Sequence, residues 1–338
     1  MFKNILITGG YGFLGQYVVK TILDEYPQVH IKIVDVKASD LIFDFNSDQR
    51  TTSSFVDILQ TNDLAAEFKD IDVVIHLVGM ISSSVKDKEK MFNVNVDGTE
   101  NVLQAMILNK VSRLIHISSV AALGYRTAGD EPIDEGFQFD WDIARRRKKY
   151  YMLTKHLADV KVAEYSKKGI DAIVLHPSLM YGPGDRVNTA RLIQAIKTGK
   201  IPFNAPGGTS VIHVVDVARG VLAALKRETF NGHFLLSGYN HSFIEINRII
   251  AEQVGVSPPQ KTLPRFVRPA LFRLLQMAEM LSPAKLQLCA DDIDNSFRER
   301  YYDNSKARQQ LGWEPTIPFE QTIAETIKWM QENGYLDE

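Results

Sequence analysis

The sequence predicts an α/β fold, a doubly wound parallel sheet with a smaller, discontinuous α+β unit toward the C-terminus. Three observations carry that prediction. Apolar runs of strand length alternate with stretches of helical apolar spacing, the pattern of a parallel sheet covered on both faces. A glycine-rich turn, Thr8-Gly9-Gly10-Tyr11-Gly12-Phe13-Leu14-Gly15, joins the first strand-like run to the first helix-like one. An acidic residue, Asp35, ends the second strand twenty residues past Gly15.

Asn4-Ile5-Leu6-Ile7 reads as a buried strand, and Gln16 to Glu25 as a helix with Tyr17, Val18, Ile22 and Leu23 on one face. Gly10, Gly12 and Gly15 satisfy G-x-G-x-x-G. Helix N-terminal amides point at such a turn, and without side chains a pyrophosphate approaches the backbone closely. Asp35, closing the strand Ile31-Lys32-Ile33-Val34, is placed to accept from both hydroxyls of an adenosine ribose. The sheet is therefore of Rossmann type, with Gly9, Gly10, Tyr11, Gly12, Phe13, Leu14, Gly15 and Asp35 at a dinucleotide site. NAD is the expected cofactor, because Asp35 repels a 2′-phosphate; Lys37, able to neutralise that phosphate, keeps NADP as the alternative.

Further strands are expected at Ser54-Phe55-Val56, Asp72 to Val78, Arg113 to Ser118 and Asp171 to Leu175. Helices are expected at Asp63 to Phe68, Lys88 to Asn109 and Lys149 to Lys168. Beyond Pro177, Tyr181-Gly182-Pro183-Gly184 and Ala205-Pro206-Gly207-Gly208 punctuate the chain. The division that follows assigns 1–177 plus about 210–236 to the dinucleotide-binding domain, and about 178–209 plus 237–338 to a substrate domain.

Composition narrows the class. The 39 basic and 41 acidic residues nearly cancel, so no global basic field favours nucleic acid. One cysteine, Cys289, excludes an intramolecular disulfide and a multi-cysteine metal site, which makes a reducing cytoplasm the default and Cys289 inert packing. Met1 to Asn4 run directly into the first strand, leaving no room for a cleavable signal, and no apolar run has the length of a membrane span. His76, His116 and His213 are scattered on strand-like runs and read as core or strand-end residues. Arg145 to Lys149 reads as a solvated helix entrance. Val267, Leu271, Leu274, Ala278 and Leu281 form a stripe expected to pack on the second domain, with a membrane-surface helix as the alternative.

Tyr151 and Lys155 lie four apart on a predicted helix, so the phenol and the ammonium project from one face. A free phenol has a pKa of ~10, and using it as a base near neutrality requires a lowering of about 3 units, or about 4 kcal/mol. A neighbouring ammonium and a positive nicotinamide ring both act in that direction. Ser118-Ser119 ends the fifth strand, where ligands of open α/β sheets bind, and a serine there donates to a substrate oxygen.

These residues are similar to the extended short-chain dehydrogenase/reductases, also called the NAD-dependent epimerase/dehydratase family. The resemblance runs through Thr8 to Gly15, Asp35, Asp57-Ile58, Asn95-Val96-Asp97-Gly98-Thr99, Ser119, Tyr151 with Lys155, Pro177, Tyr181 to Gly184, Ile212 to Ala218 and Lys306 to Pro315. It implies Ser119, Tyr151 and Lys155 as a catalytic triad. Asn95 would brace the sheet or a proton-relay water, and Asp57 and Ile58 would contact adenine. Leu77, Val78, Gly79, Ser118, His176, Pro177 and Ser178 fall at cofactor-facing positions. Met80, Ile81, Ser119, Met180, Phe203 and Val211 fall on the substrate side. A homodimer through the two long helices is implied as well.

The chain also departs from the family's pattern. Leu77-Val78-Gly79 stands where many members have two alanines, and His176-Pro177 replaces a common Arg-Pro. The arginines that clamp a nucleotide-sugar diphosphate are replaced by Thr209 and by the ambiguous stretch Arg298-Glu299-Arg300. Ile201-Pro202, Pro206-Gly207-Gly208 and Leu235 to Gly238 instead resemble the dihydroflavonol-reductase and 3β-hydroxysteroid-dehydrogenase-like branch. The expected activity is therefore hydride transfer between NAD(P) and a secondary alcohol or its ketone. The alternatives are a nucleoside-diphosphate-sugar epimerase or dehydratase that retains NAD, and a non-catalytic cofactor-binding scaffold or sensor.

Overall fold

The computed structural model describes residues 2–126 and 131–336 of the 338-residue chain. Its strands in chain order are β1 (Asn4–Thr8), β2 (His30–Asp35), β3 (Thr51–Phe55), β4 (Val73–His76), β5 (Arg113–Ile117), β6 (Asp171–Pro177) and β7 (Leu179–Tyr181). After these come β8 (Phe203–Asn204), β9 (Gly208–His213), β10 (Gly232–Leu236), β11 (Tyr239–Ser242), β12 (Lys261–Thr262) and β13 (Glu299–Arg300). The helices are α1 (Phe13–Glu25), α2 (Thr61–Glu67), α3 (Lys88–Phe92), α4 (Gly98–Leu108), α5 (Trp141–Arg146), α6 (Tyr150–Ser166) and α7 (Thr189–Lys197). They continue with α8 (Val214–Leu225), α9 (Phe243–Gln253), α10 (Arg268–Leu281), α11 (Ala290–Ser296), α12 (Ser305–Leu311) and α13 (Phe319–Glu332).

Seven parallel strands form the main sheet in the order β10-β6-β5-β4-β1-β2-β3. Its strands alternate which face each residue serves, as the two-residue period of a strand requires. Ile5, Ile7, Ile33, Ile75 and Ile115 face α1 and α8, whereas Leu6, Val34, Val74 and Leu114 face α4 and α6. The order reverses direction between β1 and β4, so a crevice opens at the carboxyl ends of those two strands, next to Gly9 and Leu77.

The helix expected from Lys88 to Asn109 is interrupted. A single wider, π-helical turn at Asn93–Asp97 separates α3 from α4 and carries Asn95. Such a turn inserts one extra residue and re-aims a side chain. A second sheet is built around β9, which pairs antiparallel with β11 and parallel with β7 and β13. Its core joins Tyr181 and Ile193 to Ile246 and Ile250 of α9 and to Phe319 and Ile323 of α13. The return expected near Ser210 comes later, at Val214: β9 belongs to the second sheet, α8 packs on α1, and β10 then extends the main sheet beside β6. The C-terminal stretch also reaches back, with Ala307 and Trp313 in the core between α1 and α8.

The apolar stripe expected to pack on the second domain does so only in part. Leu274 and Leu281 of α10 are exposed, because the helix rests on α11 through its other side.

One buried carboxylate ties the C-terminal stretch down. Asp216, at the start of α8, accepts from the backbone amides of Thr316 and Ile317 and from Thr316 Oγ1, all at 3.0 Å, while its own carbonyl accepts from Trp313 Nε1 at 2.8 Å. Asp216→Ala leaves those amides without an acceptor inside the protein. The expected outcome is a loss of about 2–4 kcal/mol in a denaturant titration, with Asp216→Asn losing less; equal stability of Asp216→Ala and the parent protein would contradict this account.

Candidate active site

The turn after β1 is shaped by what a side chain would meet. Gly9 has φ +74°, a conformation that L-residues other than glycine rarely adopt. A Cβ on Gly15 would fall 2.2 Å from Gly9 O and 2.7 Å from Gly10 Cα, so helix and turn touch backbone to backbone. Gly12 starts α1 with no side chain capping it, which leaves the first-turn amides free to meet an anion. Leu14 is buried, and Phe13 lies against the Tyr17 ring and the backbone of Gly184.

Asp35 binds the turn to β2. Its carboxylate accepts from Tyr11 N at 3.1 Å and Val36 N at 2.8 Å, and burial raises its pKa against those bonds. Tyr11 points away, its hydroxyl meeting Asn46 and Ser53 at 2.8 Å. Lys37 is exposed beside Asp35. Val78 packs on Gly9, whose Cβ position lies 3.1 Å from Val78 Cγ2, so the bulkier residue after β4 abuts the turn itself. Ile58 is buried against Gly98, and Asp57 accepts from Leu59 N at 3.0 Å. Ser178, just past β6 and Pro177, has a buried hydroxyl with no partner in the protein. A bare glycine cradle at a helix N-terminus, an acid at the end of β2 and an orphan hydroxyl past β6 fit a dinucleotide.

Ser119, Tyr151, Lys155 and Asn95 come together at the carboxyl end of β5. Tyr151 and Lys155 project from successive turns of α6, and Ser119, whose hydroxyl accepts from Ala121 N at 3.2 Å, lies near enough to the Tyr151 phenol to favour its ionised form. Burial raises the Tyr151 pKa, Ser119 opposes that, and the charge of Asp159 adds to it. The Lys155 ammonium donates to Ile117 O at 2.9 Å. Burial brings Lys155 down to about 8. The Lys155 ammonium lies 3.7 Å from where a Gly79 Cβ would stand, so glycine there leaves the lysine open to the crevice. From the π-helical turn, Asn95 holds Met80 N at 2.7 Å and Met80 O at 3.0 Å, and donates to Thr154 Oγ1 at 3.0 Å. It braces the segment after β4 against α6. Tyr150 sits elsewhere, beneath the Lys88 ammonium.

Beneath these groups lies a polar layer that sequence reasoning missed. Asp159, one turn beyond Lys155, accepts from Ser118 Oγ at 2.9 Å and faces His116 at 3.5 Å and His176 at 3.8 Å. Burial opposes its charge, but His116, His176 and Ser118 outweigh it and hold the carboxyl at about 2. Ser118 is therefore turned to α6, while Ser119 turns to Tyr151. His176 contacts Ser119 O and His233, each at 3.2 Å; burial pushes it down to about 4 against the attraction of Asp159. The signal for Asp159 was present: Tyr151, Lys155 and Asp159 repeat at four-residue spacing. The basic run before α6 is likewise not all solvated. Lys149 is buried among Asp291, Asp294 at 3.0 Å and Asn295 at 2.9 Å, fastening the start of α6 to α11.

On the substrate side, Ile81 is exposed and Met80 and Met180 are partly so. Val211 is not at a surface: it is 1% exposed, in mid-β9, packed in the core of the second sheet. Phe203 is exposed on the two-stranded ribbon β8-β12. Among the candidate arginines, Arg186 binds Asp40 at 2.7 Å, Arg298 is buried against Asp294 at 3.1 Å, and Arg191 is exposed. Arg300, paired in register with Thr209, keeps a buried Nε with no partner.

The fold and site define a nicotinamide-dinucleotide protein of the α/β class. A model of the NAD dependent epimerase/dehydratase family matches residues 5–236, and the chain belongs to that family. It is 28% identical to a putative dihydroflavonol 4-reductase of Synechocystis, over 98% of this chain and 95% of that protein. It is 23% identical to an Arabidopsis thaliana 3beta-hydroxysteroid-dehydrogenase/decarboxylase, over 95% of this chain and 78% of that one. The crystal structure of gox2253 superposes with a TM-score of 0.82 at 25% identity, covering 99% of this chain and all (100%) of the other. A nucleoside-diphosphate-sugar epimerase from Pseudomonas aeruginosa, at 22% identity, covers 99% of both chains with a TM-score of 0.78 and shares the fold.

The histidine layer sets an acid response. A neutral, buried His176 binds its proton at about pH 4 when folded, against about 6.5 in an unfolded chain. Its contribution to stability is therefore present above pH 6.5 and lost as the pH falls toward 4. Between pH 7 and pH 5 the unmodified protein is expected to lose about 2 kcal/mol more than His176→Gln. Parallel melting temperatures of the two proteins at both pH values would refute it.

Proposed function

We propose that the chain is an NAD-dependent oxidoreductase that moves a hydride between nicotinamide and a secondary alcohol or its ketone. The bound nicotinamide supplies the hydride acceptor or donor at its C4. Tyr151 Oη takes the alcohol proton in one direction and returns it in the other. Ser119 Oγ holds the reacting oxygen and keeps the phenol oriented toward it. Lys155, fixed by Ile117 O and facing Gly79, orients the nicotinamide ribose, and its charge near the ring favours the phenolate once substrate and cofactor exclude water. Asn95 keeps the Met80 segment in register with α6. The observation that carries this reading is the buried Lys155, held on Ile117 O one helical turn from Tyr151, at the carboxyl end of β5 where Ser119 follows.

The substrate is taken to be of low polarity. A buried diphosphate without a paired cation costs several kcal/mol, and Arg186 and Arg298 are already engaged by Asp40 and Asp294. A sugar-nucleotide epimerase or dehydratase is the second reading, and the unpartnered Nε of Arg300 is what favours it. Residues 1–177 plus about 214–236 would bind the cofactor and most of the remainder the substrate, in a cytoplasmic homodimer joined through α4 and α6. Among the described residues no helix is long and apolar enough to cross a membrane.

Two measurements test the reading. A panel of steroid and flavonoid-like ketones or alcohols, run beside sugar nucleotides, is expected to give net conversion of NAD(H) only with the former; sugar-nucleotide turnover without net cofactor change would restore the epimerase. Tyr151→Phe is expected to lower kcat about a thousandfold while cofactor affinity stays within about twofold, and Tyr150→Phe to be mild. Reversal of the two mutants would dismantle the triad.

Cofactor preference is a separate matter, resting on Asp35. NAD is expected to bind at least about tenfold more tightly than NADP, because a 2′-phosphate would face the carboxylate at short range. Equal or tighter binding of NADP in a fluorescence titration would show that Lys37 dominates the site.

A further inference from the structure

Helix α10 and the turn before it carry an apolar face that nothing among the described residues covers. Phe266, Leu274, Met277, Met280 and Leu281 are 81%, 63%, 61%, 76% and 81% exposed. Ala270, Leu274, Met277 and Leu281 recur at helical spacing on the side turned away from α11, and Ala270 is exposed as well. Large apolar side chains gathered on one helical stripe mark a surface built to meet something apolar.

Exposed charges on the segment that carries the stripe are basic. Residues 261–288 hold five basic side chains and one acidic, Glu279, and Glu279 is buried. Arg265 is paired with Glu299 and Lys285 with Asp87, but Arg273 and Lys261 stand exposed. Exposed Lys148 shares a cavity with Gln276 and Met280, adding a cation at one end of the stripe. An outward apolar face with basic residues beside it is the composition of a helix that lies in a lipid interface. A second copy of the chain fits less well, because a two-fold contact would press two surfaces of the same charge sign together.

We infer that α10 docks the protein on a bilayer surface carrying anionic headgroups. The helix lies in the plane of the interface, with Phe266, Leu274, Met277 and Leu281 among the acyl chains and Arg273 at the headgroups. The same helix flanks the candidate active site: Ser83 and Val85, which follow the Met80 segment, line the cavity shared with Gln276 and Met280, and Ser83 is hydrogen-bonded to Asp292 of α11. Docking would thus hold the mouth of the cleft close to the lipid, where an apolar alcohol or ketone concentrates. Binding to lipid does not depend on the proposed chemistry.

Flotation of the full chain with vesicles tests it. Vesicles of phosphatidylcholine with about one third phosphatidylglycerol are expected to bind the protein at least about tenfold better than phosphatidylcholine alone. The double variant Leu274→Glu, Met277→Glu is expected to lose at least about tenfold in binding, and Arg273→Glu about fivefold or more. Unchanged melting temperatures and unchanged NAD affinity separate these losses from misfolding. The inference is overturned if the unmodified protein stays unbound with both vesicle types, or if the double variant binds as the parent does. It is overturned equally if the double variant turns a dimer into a monomer in light scattering, which would assign the face to a second copy. Because vesicle binding is read without turnover, failure of the ketone assay and failure of the flotation are distinguishable.

Discussion

A positive charge at Lys155 and a negative one at Asp159 are buried one helical turn apart, and most of the site is arranged to tolerate them. Each ion taken out of water costs several kcal/mol unless its surroundings answer it. The ammonium is answered by a backbone carbonyl, Ile117 O, and the carboxylate by Ser118 and two imidazoles. Those partners come from β5 and β6, so α6 is held at one height over the sheet. Tyr151, a turn earlier on the same helix, is held at that height too. The phenol's position relative to Ser119 is thus set by the charges below it as much as by its own contacts.

The start of α6 is secured by a different ion cluster. Lys149 and Arg147 converge on the carboxylates of α11, with Asp294 also binding Arg298. These charges hold the Asp294 carboxyl well below its usual range, in spite of burial. Arg298 is thereby engaged next to its own helix, while Lys149 and Arg147 are the residues that join α11 to α6. One carboxylate, Asp294, thus serves both the seating of α11 on α6 and the pairing of Arg298.

What the sequence made legible were features set by short spacings. The glycine turn, Asp35, and the pair Tyr151–Lys155 each lie within one strand–helix unit, where local geometry decides which groups meet. The histidine layer was not legible, because His116, His176 and His233 meet only through the register of β5, β6 and β10. Asn95 was read as a brace for the sheet or for a proton-relay water but not as part of a wider turn, since one inserted residue leaves the apolar pattern on either side nearly intact. Val211 was placed on the substrate side by the family resemblance. In the fold β9 is the central strand of a second sheet, and all six of its residues are buried. The stripe on α10 was read as core because apolar spacing reports an apolar face without reporting what covers it.

The main sheet is completed out of order. Six of its strands are present by Pro177, but the seventh, β10, arrives only at Gly232, after β7, β8, β9 and α8 have been made. During synthesis the edge of β6 is therefore open for the time needed to make about fifty further residues, on the order of several seconds. That edge carries hydrogen-bonding groups ready to accept a foreign strand. His176 sits on it, and His233 is the side chain that later closes over it. A nascent chain paused between these points holds the glycine cradle, Ser119, Tyr151 and Lys155 already in sequence, yet exposes the flank of the site to other chains. The interval between residues 177 and 232 is thus where this fold is most open to aggregation and where a chaperone would have the most to protect.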